Sequence, residues 1–178
     1  MKGVVFTEFL EMVENQFGDD VCDQMIESSD LSNGGAYTSV GTYDYQEMIH
    51  MVVQLSKLTN IPVPELVEAY GRNLLNVFES KFNEFFVSPN STFEFLKGIE
   101  TVIHTEVRKL YPDAELPEFA VTESGNTLTL AYQSPRCLGD LALGLMKGVA
   151  AYYDEQIDIE MILENDEGSQ VLFNLTRT

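Results

Sequence analysis

The sequence predicts an α+β protein: a helical N-terminal part followed by a ββαββ part with an antiparallel sheet. Three observations carry this. Apolar residues recur at helical spacing through roughly the first 110 residues. The proline-bounded connector YPDAELP then interrupts the pattern, and beyond it apolar and polar residues alternate. Two turn signals, Ser124-Gly125-Asn126 and ENDEGS, each separate a pair of strand-like runs.

Taken in order, Val4, Val5, Phe9, Met12, Val13 and Phe17 predict a helix over 3–17, and a second helix covers 19–28. The run SSDLSNGGAYTSVGTY is rich in turn residues and reads as a loop. Asp44 can cap a third helix to about Leu58, with Met48, Met51, Val52 and Leu55 as its stripe. Pro64 suits the first turn of a helix through Gly71 and on to Phe86, and Gly71 marks a place where it can break. Ser91 or Thr92 can cap the next helix, which ends near Leu110 and carries the stripe Leu96, Ile99, Ile103, Val107 and Leu110. Strands follow at about 118–123 and 127–134, then the helical run LGDLALGLMKGVAAYYDEQ, then the strands IDIEMIL and SQVLFNLT.

A chain of 178 residues fits one domain and can bury a core without disulfides. Ten Lys and Arg against 29 Asp and Glu leave a net charge of −19. Phosphate backbones and anionic membrane surfaces are therefore poor partners, so neither nucleic acid nor membrane is expected. The two cysteines, Cys22 and Cys137, form no framework and no zinc spacing, and suit a reducing compartment. The N-terminal run is broken by Glu8, Glu11 and Glu14, unlike a signal peptide, and no apolar run approaches a membrane span. These features together predict a cytoplasmic protein.

Motifs for phosphoryl transfer, dinucleotide binding, metalloprotease or serine-hydrolase chemistry are absent. Two features remain. In TLTLAYQSPR, strand alternation places Leu128, Leu130, Tyr132, Ser134 and Arg136 on one face, ending in two hydroxyls and a guanidinium. His104 stands at the edge of its helix's apolar stripe, where it is either a hydrogen-bonded boundary histidine or a metal ligand. His50, flanked by methionines, reads as structural. One histidine cannot hold zinc alone, but one suffices for heme, whose iron already has four nitrogens. Heme also carries two propionates, and a Tyr, Ser and Arg set suits carboxylates.

Met1-Lys2-Gly3, His104 followed by a Tyr-Pro connector, and Tyr132-x-Ser134-x-Arg136 together resemble the H-NOX family, the heme nitric oxide/oxygen binding domains. The likeness runs over essentially the whole chain, resembles stand-alone bacterial members, and extends to the heme domain of soluble guanylate cyclase. It implies one domain over 1–178, with a helical subdomain at about 1–65, a heme-clamping α+β part at about 66–178, and heme buried between them. It implies heme b with His104 as proximal iron ligand. Tyr132, Ser134 and Arg136 would bind the propionates, and Pro117 would press on the porphyrin. Val5, Phe9, Leu74, Phe78, Leu141 and Leu145 would line the distal side. O₂-binding members place a tyrosine where this chain has Leu141, so the resemblance implies NO and CO binding without stable O₂ binding. No cysteine or histidine follows Cys137, so no zinc site is expected. Cys137 itself is expected to be a buried, inert thiol.

The function implied is that of a gas sensor and not of an enzyme. Release of the proximal histidine, with a shift of heme and helix, would signal to a histidine kinase or to a cyclic-di-GMP synthase or phosphodiesterase. The rivals are a cofactor-free acidic adaptor for a basic partner, a heme enzyme, and an electron carrier. A heme enzyme usually wants distal acid-base groups, which Leu74, Phe78 and Leu141 do not supply. An electron carrier wants a second axial ligand, and His50 is the only other histidine.

Overall fold

The computed structural model describes residues Met1 to Thr178. Its helices are α1 (Gly3–Phe17), α2 (Asp19–Glu27), α3 (Tyr45–Thr59), α4 (Val63–Lys81), α5 (Glu84–Val87), α6 (Thr92–Lys97), α7 (His104–Leu110) and α8 (Gly139–Tyr152). A π-helical segment, Ile99–Ile103, joins α6 to α7. The strands are β1 (Glu118–Ser124), β2 (Thr127–Gln133), β3 (Ile157–Leu163) and β4 (Gln170–Arg177). They form one antiparallel sheet in the order β1-β2-β4-β3, with Leu130 opposite Val121 on one side and Phe173 on the other. The α+β architecture expected from the sequence is the one observed.

Two apolar clusters organise the chain. The first joins α1, α2, α3 and the first half of α4 around Phe6, Phe9, Met25, Met51 and Leu55. The second packs α6, α8 and the sheet around Phe93, Leu96, Leu128, Leu130, Phe173 and Leu175. Helix α4 serves both, since Leu66, Tyr70 and Leu74 face the first cluster and Leu75 the second.

Gly71 does not break α4. It lies where α4 crosses α8, and a Cβ there would sit 2.4 Å from the Leu141 carbonyl oxygen. Gly144 answers it from α8, where a Cβ would sit 2.1 Å from the Glu68 carbonyl oxygen. The glycines let two backbones touch, as close packing of helices requires. The helix stops instead at Phe82 (φ −135°, ψ 42°), before the short turn of α5.

The loop between α2 and α3 is fastened from inside. Glu47, only 7% exposed, accepts hydrogen bonds from the Ser32 amide (3.1 Å), the Ser32 hydroxyl (2.5 Å) and the Tyr37 hydroxyl (2.6 Å). Burial alone would raise the Glu47 pKa, but these bonds outweigh it and hold the carboxyl below its ordinary value. Asp44 caps α3 as expected, accepting from the Gln46 amide at 3.0 Å.

Met1, Lys2 and Gly3 form a clasp with the end of this loop. The Met1 amine donates to the Tyr43 carbonyl (2.6 Å) and the Gly3 amide to the Gly41 carbonyl (2.8 Å). Lys2 reaches Asp113 in the connector at 2.6 Å. A Cβ on Gly3 would meet the Thr38 carbonyl oxygen at 1.8 Å, so the clasp needs glycine there. No helix is long and apolar enough to cross a membrane.

Candidate functional site

The expected helix over 92–110 starts as predicted, with Ser91 capping the Glu94 amide, but it is not regular throughout. At Gly98 it widens: the Gly98 carbonyl accepts from both Val102 (2.8 Å) and Ile103 (3.2 Å), and the His104 amide bonds back to Ile99. Such π segments insert a residue and re-aim the side chains that follow. Leu110, expected in the apolar stripe, is 57% exposed, because the helix has turned away from the core by then.

His104 sits directly after the π segment and is buried. Its Nδ1 lies 3.0 Å from Glu100 Oε1. The same carboxylate oxygen accepts the Phe119 amide at 3.0 Å, so β1 fixes Glu100 and Glu100 fixes the imidazole. Burial pushes the His104 pKa down and the Glu100 carboxylate opposes this, leaving the ring below its ordinary value and hence neutral at neutral pH. With Nδ1 committed, Nε2 is the nitrogen left for a ligand.

From His104 an aromatic series runs to the sheet. The Phe119 ring is 6.1 Å from His104 and 5.5 Å, edge-on, from Tyr132. Tyr132 is buried on β2, and its hydroxyl accepts the Leu138 amide at 3.1 Å. Burial raises its pKa, so the phenol keeps its proton. Strand alternation holds for Leu128, Leu130 and Tyr132 and carries on to Ser134, which is buried after the exposed Gln133 and whose amide bonds to the Ser169 carbonyl (2.9 Å), although β2 itself stops at Gln133. Arg136 comes alongside through the turn that follows. The Cys137 amide bonds to the Ser134 carbonyl (3.3 Å), and Ser134 Oγ accepts the Arg136 amide (3.2 Å).

The Arg136 guanidinium donates to the Glu115 carbonyl (3.0 Å) and carboxylate (2.6 Å). It lies 5.8 Å from the Tyr45 ring centroid, across to the helical half. Glu115 is 83% exposed at its side chain, whereas Arg136 is 16% exposed. Pro117 is half-buried, two residues before Phe119.

The six apolar candidates also collect in one region. Phe9 and Leu74 are buried in the helical core, and Val5, Phe78, Leu141 and Leu145 pack against it. Phe78 and Leu145 touch the sheet core as well, placing them at the seam between the two. Asp140, beside Leu141, is half-buried with its pKa raised by burial and by Glu68. His50 rests its Nδ1 3.2 Å from the Asp30 carbonyl. Cys137 is exposed, not buried, because the turn after β2 holds it at φ 54° and presents it outward.

Sequence reasoning missed Glu100, Phe119, Glu115 and Tyr45. The first carried a readable signal, since a carboxylate four residues before a histidine shares its helix face. The others meet the site only through tertiary packing.

The sequence matches the family model described as haem-NO-binding over residues 2–161. The chain belongs to this family, H-NOX. Its structure superimposes on the Fe(II) unliganded H-NOX protein of K. algicida with a TM-score of 0.95, at 37% identity, covering 100% of this chain and 97% of that one. Against the H-NOX of Shewanella woodyi in its Fe(II)CO state the TM-score is 0.85 at 40% identity, covering 100% and 95%. Against that of S. oneidensis in its Fe(II)NO state it is 0.90 at 27% identity, covering 100% and 99%. A soluble guanylate cyclase of Caenorhabditis elegans, gcy-35, is 24% identical over 164 residues. That match takes in 88% of this chain but only 24% of the cyclase. H-NOX domains bind heme and sense gases, so the chain is a heme-based gas-sensing domain.

The residues present fit heme. A buried neutral imidazole with one nitrogen committed suits iron. Tyr132, Ser134 and Arg136 offer two hydroxyls and a cation, and the carboxylate now on Arg136 is a solvated surface group that another carboxylate can replace at small cost.

Proposed function

We propose that this chain is a sensor of NO that reports to a partner protein and catalyses no reaction. The observation that supports it best is His104, kept neutral by burial and oriented by Glu100, with Nε2 left over. In this reading His104 is the proximal ligand of heme b. Tyr132, Ser134 and Arg136 hold the propionates, with Arg136 exchanging Glu115 for one of them. Pro117 presses on the porphyrin from the connector. Val5, Phe9, Leu74, Phe78, Leu141 and Leu145 line the gas side. Heme bound there would supply a ferrous iron able to take a diatomic gas.

The gas-side residues decide which gas stays. All six are apolar and offer no hydrogen-bond donor. Bound O₂ depends on such a donor more than NO or CO does, so this lining favours NO and CO and excludes stable O₂. The signal begins at His104. Release of His104 on gas binding would free the π segment and α7 to shift. Gas binding biases this equilibrium only through its different affinity for the two states. The partner is a histidine kinase or a cyclic-di-GMP synthase or phosphodiesterase.

The test is an absorption spectrum of the reduced protein under nitrogen, then with NO, with CO and in air. The expected result is a Soret band that moves with NO and with CO and not on brief exposure to air. His104→Ala should lose the band and regain it with added imidazole. No Soret band after reconstitution would overturn the heme assignment, and a stable new band in air would overturn the gas-side assignment.

A further inference from the structure

The sheet has two edges, and they differ. At β1 the outward Phe119 amide is already taken by Glu100, and the π segment lies alongside. At β3 the side away from β4 is unpaired. The Glu164 amide bonds to the Gln170 carbonyl (2.9 Å), and the Gln156 carbonyl accepts from Thr178 (3.3 Å). In an antiparallel ladder a residue points both backbone groups the same way, and the direction alternates along the strand. Even-numbered residues of β3 therefore bond to β4. Ile157, Ile159, Met161 and Leu163 turn their N–H and C=O groups outward, where no protein group meets them.

An open edge is normally guarded by Pro, by charged side chains, Lys above all, by a bulge or by a covering loop. Strand β3, IDIEMIL, has neither Pro nor Lys, its register with β4 is unbroken, and its only charges are the carboxylates Asp158 and Glu160, which repel acidic strands and not basic ones. Its side chains alternate too. Ile157, Ile159 and Met161 pack against the sheet core, while Asp158 and Glu160 are exposed on the other face. Ile162 and Leu163 are apolar yet 39% and 58% exposed. Asp154, Glu155, Asp158, Glu160, Glu164, Asp166 and Glu167 surround the strand, and no Lys or Arg occurs between Lys147 and Arg177.

We propose that the open edge of β3 is a docking site for an extended segment of a basic partner protein, which joins the sheet as a fifth strand. The backbone groups of Ile157, Ile159, Met161 and Leu163 supply the ladder, as in strand addition generally. Side chains of the added strand alternate between the two faces. On the outer face they lie beside Asp158 and Glu160, which selects Lys or Arg. On the inner face they continue the apolar row of Ile157, Ile159 and Met161. A second copy of this chain would bring the same carboxylates edge to edge, and like charges directly opposite are destabilising. None of the outward groups belongs to the heme site, so the inference stands apart from that assignment.

The test uses the full heme-loaded chain in its reduced, gas-free form and, as probe, a capped nine-residue peptide of alternating lysine and valine. Amide hydrogen exchange is read by NMR. At saturation the amides of Ile157, Ile159, Met161 and Leu163 should slow by about tenfold or more, as new ladder bonds require, while those of Asp158 and Glu160 stay as they were. A matching glutamate–valine peptide should not bind. Ile159→Pro removes an outward N–H along with the side chain's packing and should abolish the protection, whereas Ile159→Ala, which keeps the N–H, should retain it. The double variant Asp158→Lys, Glu160→Lys alters exposed side chains alone and should exchange the preference for the lysine peptide for the glutamate one. Binding that leaves the four amides unprotected, or that survives Ile159→Pro in a folded protein, would reduce the contact to charge adhesion and overturn the proposal. So would the same protection appearing without peptide as protein concentration rises, which would make a second copy the occupant.

Discussion

The two cores of this protein are built from different materials. The helical core buries Met12, Met25, Met48 and Met51, whereas the sheet core buries a single methionine, Met146, among Leu, Phe and Val. Methionine is unbranched and adapts to irregular space, while branched and aromatic side chains interlock. The sheet side also carries His104, Glu100 and Phe119 in a fixed chain of hydrogen bonds. The helical side supplies apolar lining from α1 and α4. A rigid side that carries His104 therefore faces a yielding side that carries Val5, Phe9 and Leu74 of the proposed gas lining. Helix α4 belongs to both, and the glycine crossing ties it backbone to backbone to the rigid one.

The largest effects should come from the interlocked core. Phe173→Ala should cost about 4 kcal/mol of stability in a denaturant titration, because the cavity cannot close. Met51→Leu, equally buried, should cost less than about 1.5 kcal/mol. Equal losses would erase the contrast between the cores. At the crossing, Gly144→Val should cost about 3 kcal/mol, since the added Cβ meets backbone and not a flexible side chain.

Glu47 tests the fastening of the helical side. Its folded pKa is depressed, so its contribution is complete above the ordinary carboxylate value and is lost as pH falls through the folded one. Stability should therefore fall in acid. Glu47→Gln should cost about 2 kcal/mol at neutral pH and flatten that acid slope. An unchanged slope would assign the acid response to other carboxylates.

The smallest effect on folding, and the most local, belongs to Glu100→Gln. Removing the charge beside Nδ1 should leave heme binding and thermal stability nearly intact while lowering the iron–histidine stretching frequency in resonance Raman spectra. The same variant should make NO release His104 more readily. A stretch that does not move would mean that Glu100 only positions the π segment.

Most of the fold was legible because periodicity changes sharply at the Tyr111–Pro117 connector and caps such as Asp44 and Ser91 stand in the sequence. What could not be read depends on contacts made at a distance. Gly71 looks like a helix breaker until α8 is placed against it. The π segment has no signature beyond Gly98, and it is stabilised from β1 through Glu100. For the site, His104 and Tyr132 were legible as types at a spacing. Ser134 keeps to the strand face that alternation gives it, whereas Arg136 was assigned to a face that ends before it, because alternation gives no warning of where a ladder stops. The open edge of β3 was invisible for the same reason: strand order, not strand sequence, decides which edge is bare.

The turn after β2 has a practical use. It exposes Cys137, while the other cysteine, Cys22, is buried in the helical core with its thiol pushed up to about 11 by that burial. A maleimide dye offered to the native protein should label one thiol and spare the other, with no engineering. The dye would sit one residue from Arg136, which reaches the Tyr45 ring of the helical half, so its brightness would report any movement between the halves that the proposed gas switch produces.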